Sequence, residues 1–232
     1  MRLRTAYDMM LNLLKNAPIY TTAKGNITFK EIVDLVQSDT PVILEIGAND
    51  GADTLEFCNA FPNGRIYCFE PDPRAAGDWR GNVLKSNARL FEMAICSGNG
   101  FLDFHQSDLR EGGGSRRPWH LSGSIRRPKH HLRRHRNIVF ENTIQVESAK
   151  LDDWCLEHGI SKIDFLWADV QGAEGDLIEG ARGILRKTKY FYTEYSSKEL
   201  YDGQWSLRKI GKSLPNHGLI RVWRHDALFK LK

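Results

Sequence analysis

Three apolar runs of β type open the chain's readable pattern: "VILEI" (42–46), "RIYCFE" (65–70) and "RLFEMAI" (89–95). Their starts lie about 24 residues apart, a spacing that suits strand–helix–strand units. Helical stretches separate them, with Leu55, Cys58 and Phe61 on one face and Trp79, Val83 and Leu84 on another. The rhythm stops at residues 99–149, which read as an insertion with strands of its own, and resumes at "IDFLWADV" (163–170). A single helix is predicted next, with Ala173, Leu177, Ile178, Ala181, Ile184 and Leu185 on its buried stripe. "YFYTEYS" (190–196) supplies a fifth strand, and "LIRVWRH" and "ALFKLK" a terminal hairpin. The pattern predicts an α/β fold: a doubly wound, Rossmann-like sheet, mostly parallel, with a terminal antiparallel pair, in one domain over 1–232. Upstream, Thr28 and Glu31 form a capping-box pair. Leu3, Tyr7, Met10 and Leu14 recur at helical spacing, which predicts a packed N-terminal helix within 1–38 rather than a signal peptide.

Composition changes this picture little. Hydrophobic residues make up 41% and charged residues 27% of 232, ordinary for a globular protein. No 18-residue apolar stretch exists, so no transmembrane helix is expected. Four cysteines without a CxxC pair suggest neither a disulfide framework nor a zinc site, and fit a reducing cytoplasm.

Charge is more informative. The net +4 hides an asymmetry, because 112–137 holds eight Lys or Arg and no acid, leaving 25 basic and 29 acidic residues elsewhere. The segment is therefore +8 and the remainder −4. Glycines at its start suggest a mobile lid. Arg116, Arg117, Arg126, Arg127, Arg133, Arg134 and Arg136 are candidate anion ligands, and Trp119 a stacking partner for a sugar or base. His131 and His135 stand four apart but lack a nearby carboxylate or cysteine, so a basic surface is preferred to a metal site.

The stretch "ILEIGANDGADT" (43–54) carries the candidate chemistry. In doubly wound sheets, ligands sit at the carboxyl ends of strands. Gly47 to Gly51 should line that crevice, and Glu70 ends the second strand, where an acid can accept from both ribose hydroxyls. Asp50 and Asp53 at the helix start would oppose a pyrophosphate but not a ligand with an ammonium and a sulfonium. S-adenosyl-L-methionine has both. A purely helix-capping role for the two acids is the bland alternative.

In the order of its segments the chain resembles the FkbM-type methyltransferases. The matching residues are "LEIGANDGADTLEF" (44–57), "YCFEPDP" (67–73), "EMAICSGNG" (92–100), "SAKLDDWC" (148–155), "IDFLWADVQGAEGDLIEGAR" (163–182) and "YFYTEY" (190–195). The resemblance covers roughly 40–196 and implies a seven-stranded methyltransferase fold and S-adenosyl-L-methionine. It also implies O-methylation of a sugar, glycan or natural-product hydroxyl. By the same resemblance, Glu45, Gly47, Ala48, Asn49, Asp50, Gly51 and Thr54 belong to the first cofactor loop, and Glu70 and Pro71 to the ribose end. Ala94 and Ile95 flank the adenine, and Asp169, Val170 and Gln171 face the transfer zone. Trp167 and Gln171 depart from the family, which often has lysine and glutamate there.

Asp169 is the expected base or orienter, with Glu194 second. Helix capping by Asp169 and an internal network for Glu194 are the structural alternatives. The basic segment suggests an acidic or phosphorylated acceptor. Two other readings stand: an RNA methyltransferase whose arginines track the backbone, and a non-catalytic scaffold that binds a polyanion.

Overall fold

The structure, a computed structural model, describes residues 21–22, 26–85, 87–111, 113 and 115–232. The helix expected around Leu3–Leu14 and the hinge glycines Gly112 and Gly114 lie outside the described residues. The chain runs β1 (Thr21–Thr22), α1 (Phe29–Val36), β2 (Val42–Ile46), α2 (Ala52–Ala60), β3 (Arg65–Phe69), α3 (Pro73–Asn82), β4 (Ala88–Phe91) and β5 (Ala94–Ile95). The interruption follows as β6 (Gly100–Arg110), β7 (Arg116–Pro118), a 3-10 turn (His120–Ser122), α4 (His131–Arg134) and β8 (Ile138–Ala149). The chain closes with α5 (Leu151–Glu157), β9 (Ile163–Ala168), α6 (Glu174–Gly180), α7 (Arg182–Leu185), β10 (Thr188–Glu194), α8 (Leu207–Ser213), β11 (His217–Val222) and β12 (Asp226–Leu231).

Among the described residues the large sheet has the order β1-β11-β12-β10-β9-β2-β3-β4. Strand order reverses between β2 and β9, so the loops after these two strands meet at one crevice. Five strands, from β4 to β10, are parallel, as expected, and β12 alone runs against its neighbours. The hairpin partner β11 is thus antiparallel to β12 but points the same way as β10. Thr28 caps α1 in a full capping box, its hydroxyl taking the Glu31 N–H and the Glu31 carboxylate taking the Thr28 N–H.

Alternation along β2 splits the core. Leu44 and Ile46 pack with Trp154, Leu177 and Ile184, on the α5–α8 side. Ile43 packs with Phe57, Trp79 and Tyr192, on the α1–α3 side. Three expectations are corrected. The run 89–95 is two strands, because β5 leaves the large sheet and pairs β8 in a second sheet of order β5-β8-β6-β7. Leu84, assigned to a buried face, is 84% exposed, since α3 ends at Asn82. The helix after Gly172 is broken into α6 and α7 at Ala181.

Gly180, at the end of α6, explains how closely the two sheets are joined. A Cβ there would overlap the Cys96 carbonyl, just beyond β5. Gly180→Ala should therefore destabilise the protein by about 1–3 kcal/mol in urea unfolding, the usual range for overpacking. Gly77→Ala, in open space within α3, should be neutral or stabilising by up to roughly 1 kcal/mol. Equal effects at the two positions would contradict the packing.

Candidate active site

The turn after β2 is built by backbone. Gly47 (φ 89°), Asn49 (φ 46°) and Gly51 (φ 84°) all take left-handed conformations. The Phe69 carbonyl receives both the Gly47 and Ala48 N–H groups, at 2.9 and 3.0 Å. A Cβ on Gly47 would overlap the Asp169 carbonyl, and one on Gly51 the side chains of Val83 and Trp79, so both glycines are required by the chain's own packing. The Asp50 carboxylate accepts the Ala52 N–H at 3.2 Å.

A cavity opens over this turn, with about 610 Å³ of open space including its mouth. Gly47, Asn49, Glu70, Pro71, Ala94, Ile95, Asp169, Val170 and Gln171 line it together, although they come from four separate stretches of sequence. Glu45, Ala48, Asp50, Gly51 and Thr54 do not. Met93, Phe104, His120, Leu121 and Ser124, which the sequence did not single out, also line it.

Two features of the wall bear on what it can hold. Among the described residues no lysine or arginine lines the cavity, while Glu70 and Asp169 do. The buried Oδ1 of Asn49 and Nδ1 of His120 have no hydrogen-bond partner. Glu70 is fixed by the N–H groups of Asn49 (2.9 Å) and Asp72 (2.8 Å) and pushed up to about 7, mainly by burial. A ligand rich in donors and bearing positive charge suits this wall, and a pyrophosphate does not.

Beyond Gln171 lies a second, wider groove of about 1,100 Å³, mouth included. Trp119, Arg134, His135, Glu194, Tyr201 and His225 are on its wall, and Leu121 and Gln171 belong to both spaces. Asp169 faces the first cavity and Glu194 the second. Gln171 donates to both, at 2.6 and 3.3 Å. Asp169 does not cap α6: Ala173 holds the N-cap position without a side-chain bond, and Glu174 takes the Gly172 N–H at 3.0 Å.

The basic segment is pinned rather than free along most of its length. Ser124 donates to the Gln171 carbonyl (2.8 Å), and Arg126 holds Asp176 with two bonds (2.7 and 2.8 Å). Lys129 and His131 both bond the Leu200 carbonyl through their N–H groups. Arg116 pairs with Glu141, Arg117 with Glu111, and Lys129 with Glu199 and Asp202. Four of the eight cations are thus neutralised locally. Arg127, Arg133, Arg134 and Arg136 have no ion-pair partner among the described residues, and only Arg134 lines the groove. His131 is buried against His135, Phe140 and Tyr201, and no metal-binding group of three or more His, Cys, Asp or Glu occurs among the described residues.

The pattern of the Methyltransferase FkbM domain matches residues 45–231. This chain belongs to the FkbM methyltransferase family. The 2-O-methyltransferase NoeI of Sinorhizobium fredii (strain NBRC 101917 / NGR234) is 48% identical over 192 residues, which are 82% of this chain and 78% of that protein. A crystal structure of methyltransferase FkbM from Methylobacillus flagellatus KT matches with a TM-score of 0.50 at 13% identity, over 83% of this chain. This chain spans 44% of that structure's chain, and the likeness is one of fold. The protein is a methyltransferase on a Rossmann-like frame, and no helix among its described residues is long and apolar enough to cross a membrane.

Family membership sharpens the two departures. Trp167 stacks on Tyr192 at 4.3 Å and meets Phe57 edge-on, on the α1–α3 side of the sheet, so it plays no part at the cavity. Gln171, by contrast, occupies the boundary between the two spaces.

Glu45 sits beneath the turn, 1% exposed. The Thr54 hydroxyl donates to it at 2.5 Å and accepts from the Trp79 indole at 2.9 Å. Burial pushes Glu45 up to about 8. The folded state therefore binds its proton more tightly than the unfolded chain, whose glutamates titrate near ~4.3. Stability from this group is fully present below that value and is lost as pH rises towards 8. Glu45→Gln should flatten the fall in urea midpoint between pH 5 and 8.5. An unchanged slope would mean that Glu45 is already ionised in the fold.

Proposed function

We propose that this methyltransferase uses S-adenosyl-L-methionine, held in the first cavity, to methylate a hydroxyl of a sugar or glycan held in the groove. The observation that carries this reading is the meeting of the two spaces at Gln171, with one carboxyl group on each side. S-adenosyl-L-methionine supplies an electrophilic methyl group on a sulfonium. Its hydroxyls and ammonium match the Glu70 carboxylate and the unpartnered Asn49 oxygen, and Ala94, Ile95 and Phe69 offer an apolar slot for a flat ring.

The chain's own residues supply alignment and proton removal. A sugar hydroxyl becomes a competent nucleophile when a base takes its proton as the new bond forms. Asp169 stands at the boundary for that role. The relative's name specifies 2-O-methylation, which is the kind of atom proposed here as acceptor. Trp119 and Tyr195 give the groove aromatic surface for a sugar ring. Arg134, with His135 and His225 beside it, favours an acceptor that carries an acidic group.

Calorimetric titration tests the donor first. S-adenosyl-L-methionine should bind and NAD should not, and Glu70→Ala should weaken binding ~10- to 100-fold, as expected for loss of a charge-assisted hydrogen bond. Binding of neither ligand by folded protein would overturn the assignment.

Asp169→Asn should lower kcat by about 100-fold or more, with KM for the donor little changed, since general base catalysis contributes ~10²–10⁴. Wild-type turnover would remove Asp169 from the chemistry. For the acceptor, Arg134→Gln should weaken binding of phosphorylated or carboxylated sugars relative to neutral ones. Arg116→Gln, whose parent side chain is tied to Glu141, should not.

A further inference from the structure

Every polar atom of the Gln171 side chain is engaged. Its amide nitrogen donates to Asp169 (2.6 Å) and Glu194 (3.3 Å), and its oxygen accepts from the Tyr201 hydroxyl at 3.1 Å. Tyr201 is 1% exposed and shares its proton with the Ser122 carbonyl, 2.8 Å away. Its ring lies so close to Gly172 that a Cβ there would overlap it. Turning the amide over would set its oxygen against the charged oxygen of the carboxyl pair and leave the Tyr201 proton to the Ser122 carbonyl alone. The carboxyl pair and the Tyr201 donor together favour this orientation.

Asp169 and Glu194 also share a hydrogen bond, and both are pushed up, first by burial. The groups facing them from the packed elements are Glu174 on α6, Asp226 on β12, and the hydroxyls of Tyr192 and Tyr201. Asp53 on α2 and Glu70 after β3 feel the charge of Asp169 as well. On the groove side Glu194 shares its wall with Arg134, His135 and His225, but no ion pair to either carboxyl group occurs among the described residues. Two adjoining carboxyl groups in such surroundings ionise one at a time. A neutral donor can then decide where the remaining proton sits.

We propose that Gln171, oriented by Tyr201, is a positioning residue that places the pair's single proton on Glu194 and leaves Asp169 as the charged oxygen at the boundary. The stronger amide bond goes to Asp169, which stabilises charge there, and the proton of Glu194 completes the bond between the two. Its use in catalysis rests on the methyl-transfer reading above: the acceptor proton passes to Asp169 as the acceptor oxygen bonds to carbon. The bond from that carbon to the donor breaks, and its electron pair leaves on the donor.

The test compares wild type with Gln171→Glu and Tyr201→Phe. The first readout is Tm against pH with neither donor nor acceptor present. Gln171→Glu replaces a donor by a third carboxyl group, so its neighbours should hold protons to higher pH in the fold. Groups raised in the folded state lose their stabilising effect as pH rises. The fall in Tm between pH 5 and 9 should therefore be steeper than in wild type. The second readout is the pH–rate profile. Its acid limb should move up by about one unit in Gln171→Glu, roughly a tenfold loss on that limb. Tyr201→Phe, which leaves packing in place, should shift the limb in the same direction and lower kcat about fivefold to tenfold, with KM for the acceptor nearly constant. If both variants keep the wild-type Tm slope and acid limb, the proposal is overturned. An altered Tm slope in protein that transfers no methyl group would support the clamp and sink the reaction assigned to it.

Discussion

The contact between the Gly47 turn and the end of β9 sets the rest of the site. The Asp169 N–H bonds the Ile46 carbonyl at 2.9 Å, and the Gly47 Cα passes so near the Asp169 carbonyl that no side chain fits. This seals the reversal point of the sheet from below. Because β2 and β9 are neighbours, every group delivered after them must spread over the carboxyl ends of the strands. Asn49, Glu70, Asp169 and Gln171 converge there for that reason, and none needs a long loop to reach the site.

Convergence has an electrostatic cost. Glu45, Glu70, Glu174 and Asp226 are each less than a tenth exposed, Asp169 and Glu194 are half-buried, and no lysine or arginine among the described residues lines the first cavity. The carboxyl groups are held instead by N–H and O–H donors: backbone at Glu70 and Glu174, Thr54 at Glu45, and the Gln171 amide between Asp169 and Glu194. Dipoles of this kind stabilise one ionisation at a time and leave the cavity attractive to a cation. A lysine or arginine in the same place would have quenched that field.

Much of the frame was legible in the sequence because it is local. The strands of the large sheet follow apolar runs, and the turn after β2 follows its glycines. The roles of those residues were less legible. Glu45 lies in the motif, yet period-two alternation puts it opposite Leu44 and Ile46, away from the cavity-side face, and that parity was the available signal. That Gly47 packs on the end of β9 and Gly51 on the end of α3 was not legible, because the sequence does not show those elements beside them. His120, Leu121 and Ser124 carry no motif. They reach the cavity only because β5 leaves the large sheet and carries β6 and β8 across its end, a pairing set by distant residues.

The basic segment shows why a charge count and a surface are different things. Eight cations without an acid in 112–137 suggested a uniformly positive lid. In the fold, acids from distant stretches meet half of them: Glu111 and Glu141 on the second sheet, Asp176 on α6, and Glu199 and Asp202 beside Tyr201. Surface pairs of this kind contribute little stability each, but they fix where the segment lies. The fixed part places Ser124 on Gln171 and Ser122 on Tyr201, so the roof and the carboxyl pair form one hydrogen-bonded unit. Positive charge left over is confined to Arg127 and the Arg133–Arg136 stretch, at the groove and beyond it. The segment is thus tied down by ion pairs over the first cavity, and its unpaired positive charge lies towards the groove.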